Sequence, residues 1–459
     1  MREETVDRGF LGNLVAKYFE YYENHQLLTV FVTGMAFMIL VTIVCAIITG
    51  GTSFLYMLHP NAPYVFMDHF SMVTDAASNP YSSHGEIYPP LIILIYAAIG
   101  NLTIPFMTGS YYSSWDMATA MRTTEMPVMI FMVLILAMII SSYIIYQKYT
   151  EKELSHPEFN AVFICILFSY PVLFGLATGN AIFLSVLCCV LYIYLYDSDN
   201  KWHRYLAYIF LGVAAGCKIA PAFLGILTLK HRGYIEFGKC VAIVAALFFV
   251  PFIFTDADPI WYIRHVIEYA GSVPPSFGYL NINDFMELLG ANLYVTLGVE
   301  VIVLGIFLLI ILMDDQMERW EEMALLGALL MIAFTVSVSY TLMYMVIPLF
   351  LLLTSHRKIE NKGMWLCIIC FIVIFALIPG FEWAQKYVGT TKVVFLLIMV
   401  VYLMAISIRR QIGGGSKLKG FLPKRDKSEE KSKGGKKLSA KKDSKKAPGK
   451  NKNPKKHRA

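Results

Sequence analysis

Apolar runs about as long as a bilayer is thick recur along this chain, and few architectures can hold so many. A helix needs about 20 mostly apolar residues to cross the hydrocarbon core. Runs of this kind lie at 27–49, 89–108, 127–147, 159–177, 181–196, 205–229, 236–254, 291–313, 324–353, 364–379 and 392–408. The 324–353 run exceeds one ordinary span and holds Ser337, Ser339 and Tyr340, which predicts a break into two shorter helices. The expectation is an all-α polytopic membrane protein with about 10–12 transmembrane helices. Charge agrees, because only 16% of the 459 residues are charged, against about 25% in a soluble domain. Mean hydropathy is +0.57. A soluble enzyme, a DNA-binding domain and a secreted disulfide scaffold are excluded.

The remaining charge is uneven. From Arg409 to Ala459 there are 20 Lys+Arg against 4 Asp+Glu, a net of +16. The whole chain is +6, so residues 1–408 carry a net of −10. This divides the chain into an N-terminal segment 1–26, a membrane domain 27–408 and a basic tail 409–459 with too little apolar surface to fold. The tail suits anionic lipid headgroups, each Lys contributing about 1 kcal/mol near the surface; nothing in it singles out nucleic acid as the partner. Residues 27–121 contain no Lys or Arg, so the stretch after the first span is expected outside the cell membrane. Lys148/Lys152, Lys201/Arg204, Lys230/Arg232/Lys239, His356/Arg357/Lys358/Lys362 and both termini are expected on the cytoplasmic side. One way to satisfy all of these makes 89–108 a re-entrant or surface helix within a long external loop, 50–126. Lys218 and Pro221 offer a break in the 205–229 run. Two larger external loops, about 50–88 and 255–290, are long enough to hold a site.

The eight cysteines all fall in apolar runs. Cys367 and Cys370 are spaced as C-x-x-C without a second ligand pair, and read as small packing residues. The run 27–48 is longer than a signal-peptide core, and no A-x-A site follows it.

The first loop reads Phe66-Met67-Asp68-His69-Phe70-Ser71-Met72, then Asp75, Tyr81, His84, Glu86 and Tyr88-Pro89-Pro90-Leu91. Asp68, a carboxylate among apolar neighbours, suits a general base and equally suits a helix cap. His69 and His84 could join Asp75 or Glu86 on a metal, but loose spacing favours solvated loop histidines, and the sequence requires no metal. Lys218 stands in Gly212-Val-Ala-Ala-Gly-Cys-Lys-Ile-Ala-Pro221. A Lys at membrane depth costs about 2.5–3.5 kcal/mol on insertion scales and usually faces an anion, unless it snorkels to the interface. A lipid phosphate is the natural partner. Gly212, Ala214, Ala215 and Gly216 let neighbouring helices approach closely. Thr178-Gly179-Asn180 joins two apolar runs as a tight helical hairpin, its amide placed to bind a sugar hydroxyl or to cap the next helix. Arg264, and Asn281, Asn283 and Asp284 beyond it, stand in the second loop, where Arg264 could hold a phosphate.

In this order the pieces resemble glycosyltransferase family 87, of the GT-C class of polytopic transferases, over roughly Asp68–Lys230 and more weakly through Tyr344. The family includes polyprenol-phosphate-mannose-dependent α-mannosyltransferases. The resemblance implies that Asp68 is the general base on the acceptor hydroxyl and that Lys218 lies near the donor phosphate. It also implies that Tyr88-Pro89 forms the loop's exit into a helix, and that Gly179-Asn180 takes the place of the family's Gly-Gln turn. At 337–344, where actinobacterial members carry Ser with one or two His, this chain has Tyr340 and Tyr344. The substrate-binding candidates are therefore His69, Tyr88, Asn180, Tyr340 and Tyr344, with Lys218 and Arg264 at the donor phosphate.

The function expected is transfer of a hexose, by resemblance mannose, from a polyprenyl-phosphate donor to a lipid or glycan acceptor on the outer face, with inversion. No nucleotide-binding glycine loop is present, which fits a lipid-linked donor. The alternative is a lipid or solute transporter using the same intramembrane Lys218, although the two halves show none of the internal repeats usual in such folds.

Overall fold

The computed structural model describes residues 10–58, 65–78, 81, 87–255, 257–272, 282, 285–286, 289–332, 339–381 and 385–414. His84, Glu86, Asn281, Asn283, Asp284, Ser337 and the tail beyond residue 414 lie outside the described residues.

Among the described residues the chain forms nineteen α-helices and no strand. The N-terminal helix α1 (Phe10–Asn24) leads into α2 (Gln26–Ile48) and the short α3 (Thr52–Leu58). Then come α4 (Met67–Ala77), α5 (Pro90–Thr103) and α6 (Ser114–Met121), with α4 packed on both α5 and α6. They are followed by α7 (Glu125–Thr150), α8 (His156–Leu167), α9 (Tyr170–Thr178), α10 (Ile182–Leu195) and α11 (Lys201–Cys217). After α12 (Ile226–Arg232) and α13 (Tyr234–Phe249), α14 (Pro259–Ser272) occupies part of the second loop. The last five helices are α15 (Leu293–Met313), α16 (Arg319–Ile332), α17 (Val346–Ser355), α18 (Lys362–Phe375) and α19 (Gln385–Gly414).

This is an all-α polytopic membrane protein. Helices long and apolar enough to cross alone are 26–48, 125–150, 234–254, 293–313 and 387–413, and α8 with α9 makes a sixth, bent by 52°. Four shorter apolar helices, 90–106, 182–195, 339–355 and 362–375, accompany them. Against the ten to twelve spans expected, five helices, or six with the bent pair, are long and apolar enough to cross among the described residues. At about 1.5 Å per residue the 14 residues of α5 rise only about 21 Å, short of the hydrocarbon thickness, in keeping with the re-entrant or surface reading of 89–108.

Proline sets the breaks. Its ring displaces the carbonyl four residues earlier and it has no N–H to donate. Four residues before Pro171 is Leu167, where α8 stops; the single span expected over 159–177 is bent here. Four before Pro221 is Cys217, the end of α11, after which Ala220–Gly225 continues as a 3-10 turn. The 324–353 run breaks as expected, with Ser339–Met345 a 3-10 segment ahead of α17, whose Pro348 falls four residues after Tyr344. The chain turns at Gly179, but α9 and α10 do not lie side by side as a hairpin; α9 packs on Ser339–Met345 and α10 on α11.

The two ends of the assembly differ. At one end Lys230 Nζ meets Glu322 Oε1 at 2.6 Å, Arg410 grips Glu321 at 2.6 and 2.7 Å, Arg232 meets Asp197 at 2.8 Å and His356 meets Glu318 at 2.6 Å. The clusters Lys201/Arg204, Lys230/Arg232 and His356/Arg357 gather here. Helix α11 starts at this end and rises about 25 Å over its 17 residues, so Lys218 emerges at the other. That end is floored by a separate apolar cluster that includes Phe70, Val73, Ile92, Tyr96 and Phe131.

One buried cation escaped the reading of the sequence. Lys392 is fully buried in α19, where its Nζ donates to the carbonyls of Val373, Ile374 and Ala376 at 3.0, 3.2 and 2.6 Å. It stands over the Tyr170 ring at 4.5 Å and so closes the negative end of α18.

The small residues of α11 act as expected. A Cβ on Gly212 would lie 2.5 Å from Leu247 Cδ1 of α13, and one on Gly216 2.6 Å from Leu91 Cδ2 of α5. Gly216→Leu therefore wedges α11 from α5, and overpacking of this kind costs about 1–3 kcal/mol. The expected result is a lower midpoint of thermal unfolding in detergent, with the neighbouring Ala215→Gly as the control.

Candidate active site

The site begins with two left-handed turns set against each other. Phe66, which precedes α4, has φ +60, and Gly179, which closes α9, has φ +74. Phe66 N–H donates to Ala177 O at 2.7 Å. A Cβ on Gly179 would lie 3.0 Å from His69 Cβ and 3.2 Å from Phe66 Cα, so only glycine serves there. A bulky residue at positive φ stores about 1–3 kcal/mol of strain and persists only where its surroundings fix it. The contact places Asp68, two residues after Phe66, opposite Asn180, one residue after Gly179.

Asn180 is buried, and the direction of its amide is determined. Its Oδ1 accepts from Ile182 N at 3.0 Å, which turns Nδ2 toward Asp68 Oδ2 at 2.8 Å and Tyr88 Oη at 3.4 Å. Of the two roles weighed for it in the sequence, the structure shows the cap on α10, and its Nδ2 is turned to Asp68 and Tyr88. Tyr88 is fixed in turn, because Pro89 and Pro90 start α5 behind it with Pro90 in the first turn, where no N–H is needed. Tyr81 Oη donates to Tyr88 O at 2.9 Å, and Tyr262 Oη donates to Ile87 O at 2.8 Å.

Lys218 reaches the same tyrosine. The Pro221 break leaves it just beyond α11, near that helix's negative end. Its Nζ lies 4.7 Å from the centre of the Tyr88 ring and 5.3 Å from that of Tyr340. The rings attract the cation, a contribution of about 2 kcal/mol when desolvated. The Asp68 carboxylate acts on the same ammonium through space. Asp68, Tyr88, Asn180, Lys218 and Tyr340 thus form one cluster around a half-buried anion and a half-buried cation.

The other candidates are elsewhere. His69 points away into an aromatic box, with ring centres 4.5 Å from Phe131, 5.1 Å from Phe70 and 5.4 Å from Tyr96. Burial pushes its imidazole down to about 3, so it is neutral at physiological pH. Tyr344 is buried against α10. Ser185 gives its one hydroxyl proton to Ala214 O at 3.1 Å, so the 2.9 Å bond between the two hydroxyls is donated by Tyr344. Arg264 is exposed on α14, on the face away from the buried Tyr262, and is not brought to Lys218. Reading the sequence did not identify Ser185 or Tyr262, whose roles are hydrogen bonds made across long stretches of chain, and gave no role to Tyr81, whose bond to Tyr88 O is made within the loop. Among the described residues no three His, Cys, Asp or Glu side chains group as metal ligands.

Beside the cluster, between α11, the 3-10 turn, α13 and α15, is a cavity of about 460 Å³. It is lined by Leu211, Ala215, Ile219, Phe223, Val244 and Phe248 among others, with no charged side chain. Ile219 follows Lys218 directly.

With this geometry in hand, comparison with known proteins is decisive at one level. The model of glycosyltransferase family 87 matches residues 87–339, more than half of the chain. The chain belongs to glycosyltransferase family 87. It is a membrane glycosyltransferase, which decides between the two function classes the sequence left open. No curated protein and no solved structure matches it. Tyr88, Asn180 and Lys218 fall inside the matched segment; Asp68 precedes it and Tyr340 follows it.

If Asn180 holds Asp68, the Asn180→Ala variant keeps its fold and loses turnover. Misplacing a reacting group by about 1 Å costs about 10²-fold. The expected result is a drop of that order in kcat with donor KM nearly unchanged, measured in lipid-reconstituted protein.

Proposed function

We propose that this family 87 enzyme transfers a hexose, mannose first, from a polyprenyl-phosphate donor to a lipid or glycan acceptor at the outer face of the cell membrane. The observation that carries the reading is the Asn180 Nδ2 to Asp68 Oδ2 hydrogen bond of 2.8 Å, with the Lys218 ammonium 4.7 Å from the centre of the Tyr88 ring that the same amide reaches. A fixed carboxylate and a cation at one site are what a displacement at an anomeric carbon needs. Asp68 takes the proton from the acceptor hydroxyl as its oxygen bonds to C1 of the sugar. The bond from C1 to the phosphate oxygen breaks, and its electron pair leaves with the polyprenyl phosphate. Lys218 offsets the charge growing on that phosphate, and in a water-poor site such an offset is strong. Attack from the face opposite the phosphate inverts the anomeric centre.

The apolar cavity supports a lipid-linked donor. It offers hydrocarbon-compatible space next to the cation that would hold the headgroup, so one ligand with a phosphate and an isoprenoid tail satisfies both. The Tyr88 and Tyr340 rings, 4.7 and 5.3 Å from the ammonium, hold it at the site.

The test uses the full chain in lipid vesicles with polyprenyl-phosphate-mannose, then polyprenyl-phosphate-glucose, and a lipid-extract acceptor pool. Product from wild type and none from Asp68→Asn is expected; the two side chains are isosteric, so folding should be kept. Turnover by Asp68→Asn near the wild-type rate removes Asp68 as the base. Removing one partner of a charge-assisted hydrogen bond costs about 1.5–3 kcal/mol, so Lys218→Met should weaken donor binding about 10–100-fold. Unchanged donor affinity in that variant would assign Lys218 to an interfacial role instead.

A further inference from the structure

We propose that one side of α14 is a carbohydrate-binding platform that holds the acceptor glycan, with Trp261, His265 and Tyr269 as its stacking surface; this rests on the transferase reading above.

These residues are spaced i, i+4 and i+8 and therefore share one side of the helix. The Trp261 and His265 rings are stacked, centres 4.9 Å apart and planes 4° from parallel. The Tyr269 ring follows 6.5 Å from that of His265. Trp261 and Tyr269 are each 38% exposed. Tyr and Trp give large, rigid contact area at little cost in conformational entropy, which suits them to binding surfaces.

The platform is joined to the active site. Helix α14 is docked by Tyr262, which is 1% exposed and donates to Ile87 O at 2.8 Å. The Tyr81 ring meets Tyr262 and Trp261 edge-on, at 5.8 and 6.3 Å, while its hydroxyl donates to Tyr88 O at 2.9 Å. A ligand stacked on Trp261 is thus separated from Tyr88, and through it from Lys218 and Asn180, by one aromatic side chain.

The chemistry of the helix selects the occupant. A hexopyranose has a face of C–H groups that packs on an aromatic ring and an edge of hydroxyls that needs polar partners. On α14 the exposed Glu268 lies on the same side as Trp261 and His265, with Arg264 next to it. The other side of the helix carries Ile260, Ile263 and Ile267 at i, i+3 and i+7, exposed by 71, 45 and 40% with no charge among them. That side fits acyl chains. Rings with charges beside them fit a sugar, so the helix separates glycan from lipid at the approach to Asp68.

The experiment uses the full chain in nanodiscs and has two readouts. In saturation-transfer NMR a manno-oligosaccharide ladder is expected to bind wild type and Trp261→Phe, and to lose about tenfold in affinity on Trp261→Ala. In the transfer assay the same Trp261→Ala change is expected to raise acceptor KM about tenfold while donor KM stays put. Equal oligosaccharide binding by Trp261→Ala and wild type, or none by wild type, overturns the platform. So does quenching of Trp261 fluorescence by brominated lipid, with every other Trp replaced by Phe, because the rings would then lie in the membrane. Absence of transfer by wild type would count against the reaction proposed above, and the binding readout would still decide the platform by itself.

Discussion

Everything at the site depends on the contact between Phe66 and Gly179. Each residue adopts a left-handed backbone, and the close approach leaves no room for a side chain on the second. The Phe66 N–H to Ala177 O hydrogen bond ties the two turns into one unit. Without that unit α4 could slide along α9, and Asp68 would have no fixed partner. With it, a carboxylate from the first loop and an amide from a turn 112 residues later meet at 2.8 Å. The strain held at Phe66 is affordable because the apolar cluster beneath α4 holds that helix in place from below.

The second requirement is a cation at the same point, and it is met by a helix that stops. An uninterrupted α11 would carry Lys218 into the packed interior with its neighbours. Pro221 ends the helix at Cys217, so Lys218 leaves the helical path and reaches the Tyr88 and Tyr340 rings. The ion pairs at the far end of α11 anchor the start of that helix, α12 and α16 to one another. Charge along α11 is therefore concentrated in two places: a paired network that fixes the scaffold, and a sparse pair, Asp68 and Lys218, linked through Asn180 and Tyr88.

Much of this was legible in the sequence, and what was legible was local. The helix breaks follow proline rules, the close packing of α11 follows its small residues, and Lys218 is conspicuous as a charge among apolar neighbours. Asp68, Tyr88, Asn180 and Tyr340 converge as the order of motifs suggested. What spacing could not convey is the direction in which a side chain leaves its helix. His69 is adjacent to Asp68 in sequence, but the helical rotation of about 100° per residue turns it into the aromatic box. Tyr344 follows Tyr340 by about one and a third turns of the 3-10 segment and faces Ser185 instead. Lys392, a cation at the border of an apolar run, serves the end of a helix through three carbonyls, whereas Lys218, inside its run, meets the Tyr88 and Tyr340 rings.

The extent of the family match bears on how the site is divided. The matched segment, 87–339, holds Tyr88, Asn180 and Lys218, while Asp68 comes from the region before it. The proposed base and the proposed phosphate-binding cation thus reach the site on separate parts of the chain, linked through Asn180 and Tyr88. Such a division fits the two demands of the reaction. The cation has only to meet a phosphate beside an apolar cavity, a task set by the membrane. The proposed base has to meet a particular hydroxyl, and α4 carries it from the first loop, where a glycan would approach from water. In the proposed transfer, lipid and glycan can then reach the anomeric carbon from different directions, as the proposed back-side displacement requires of donor and acceptor.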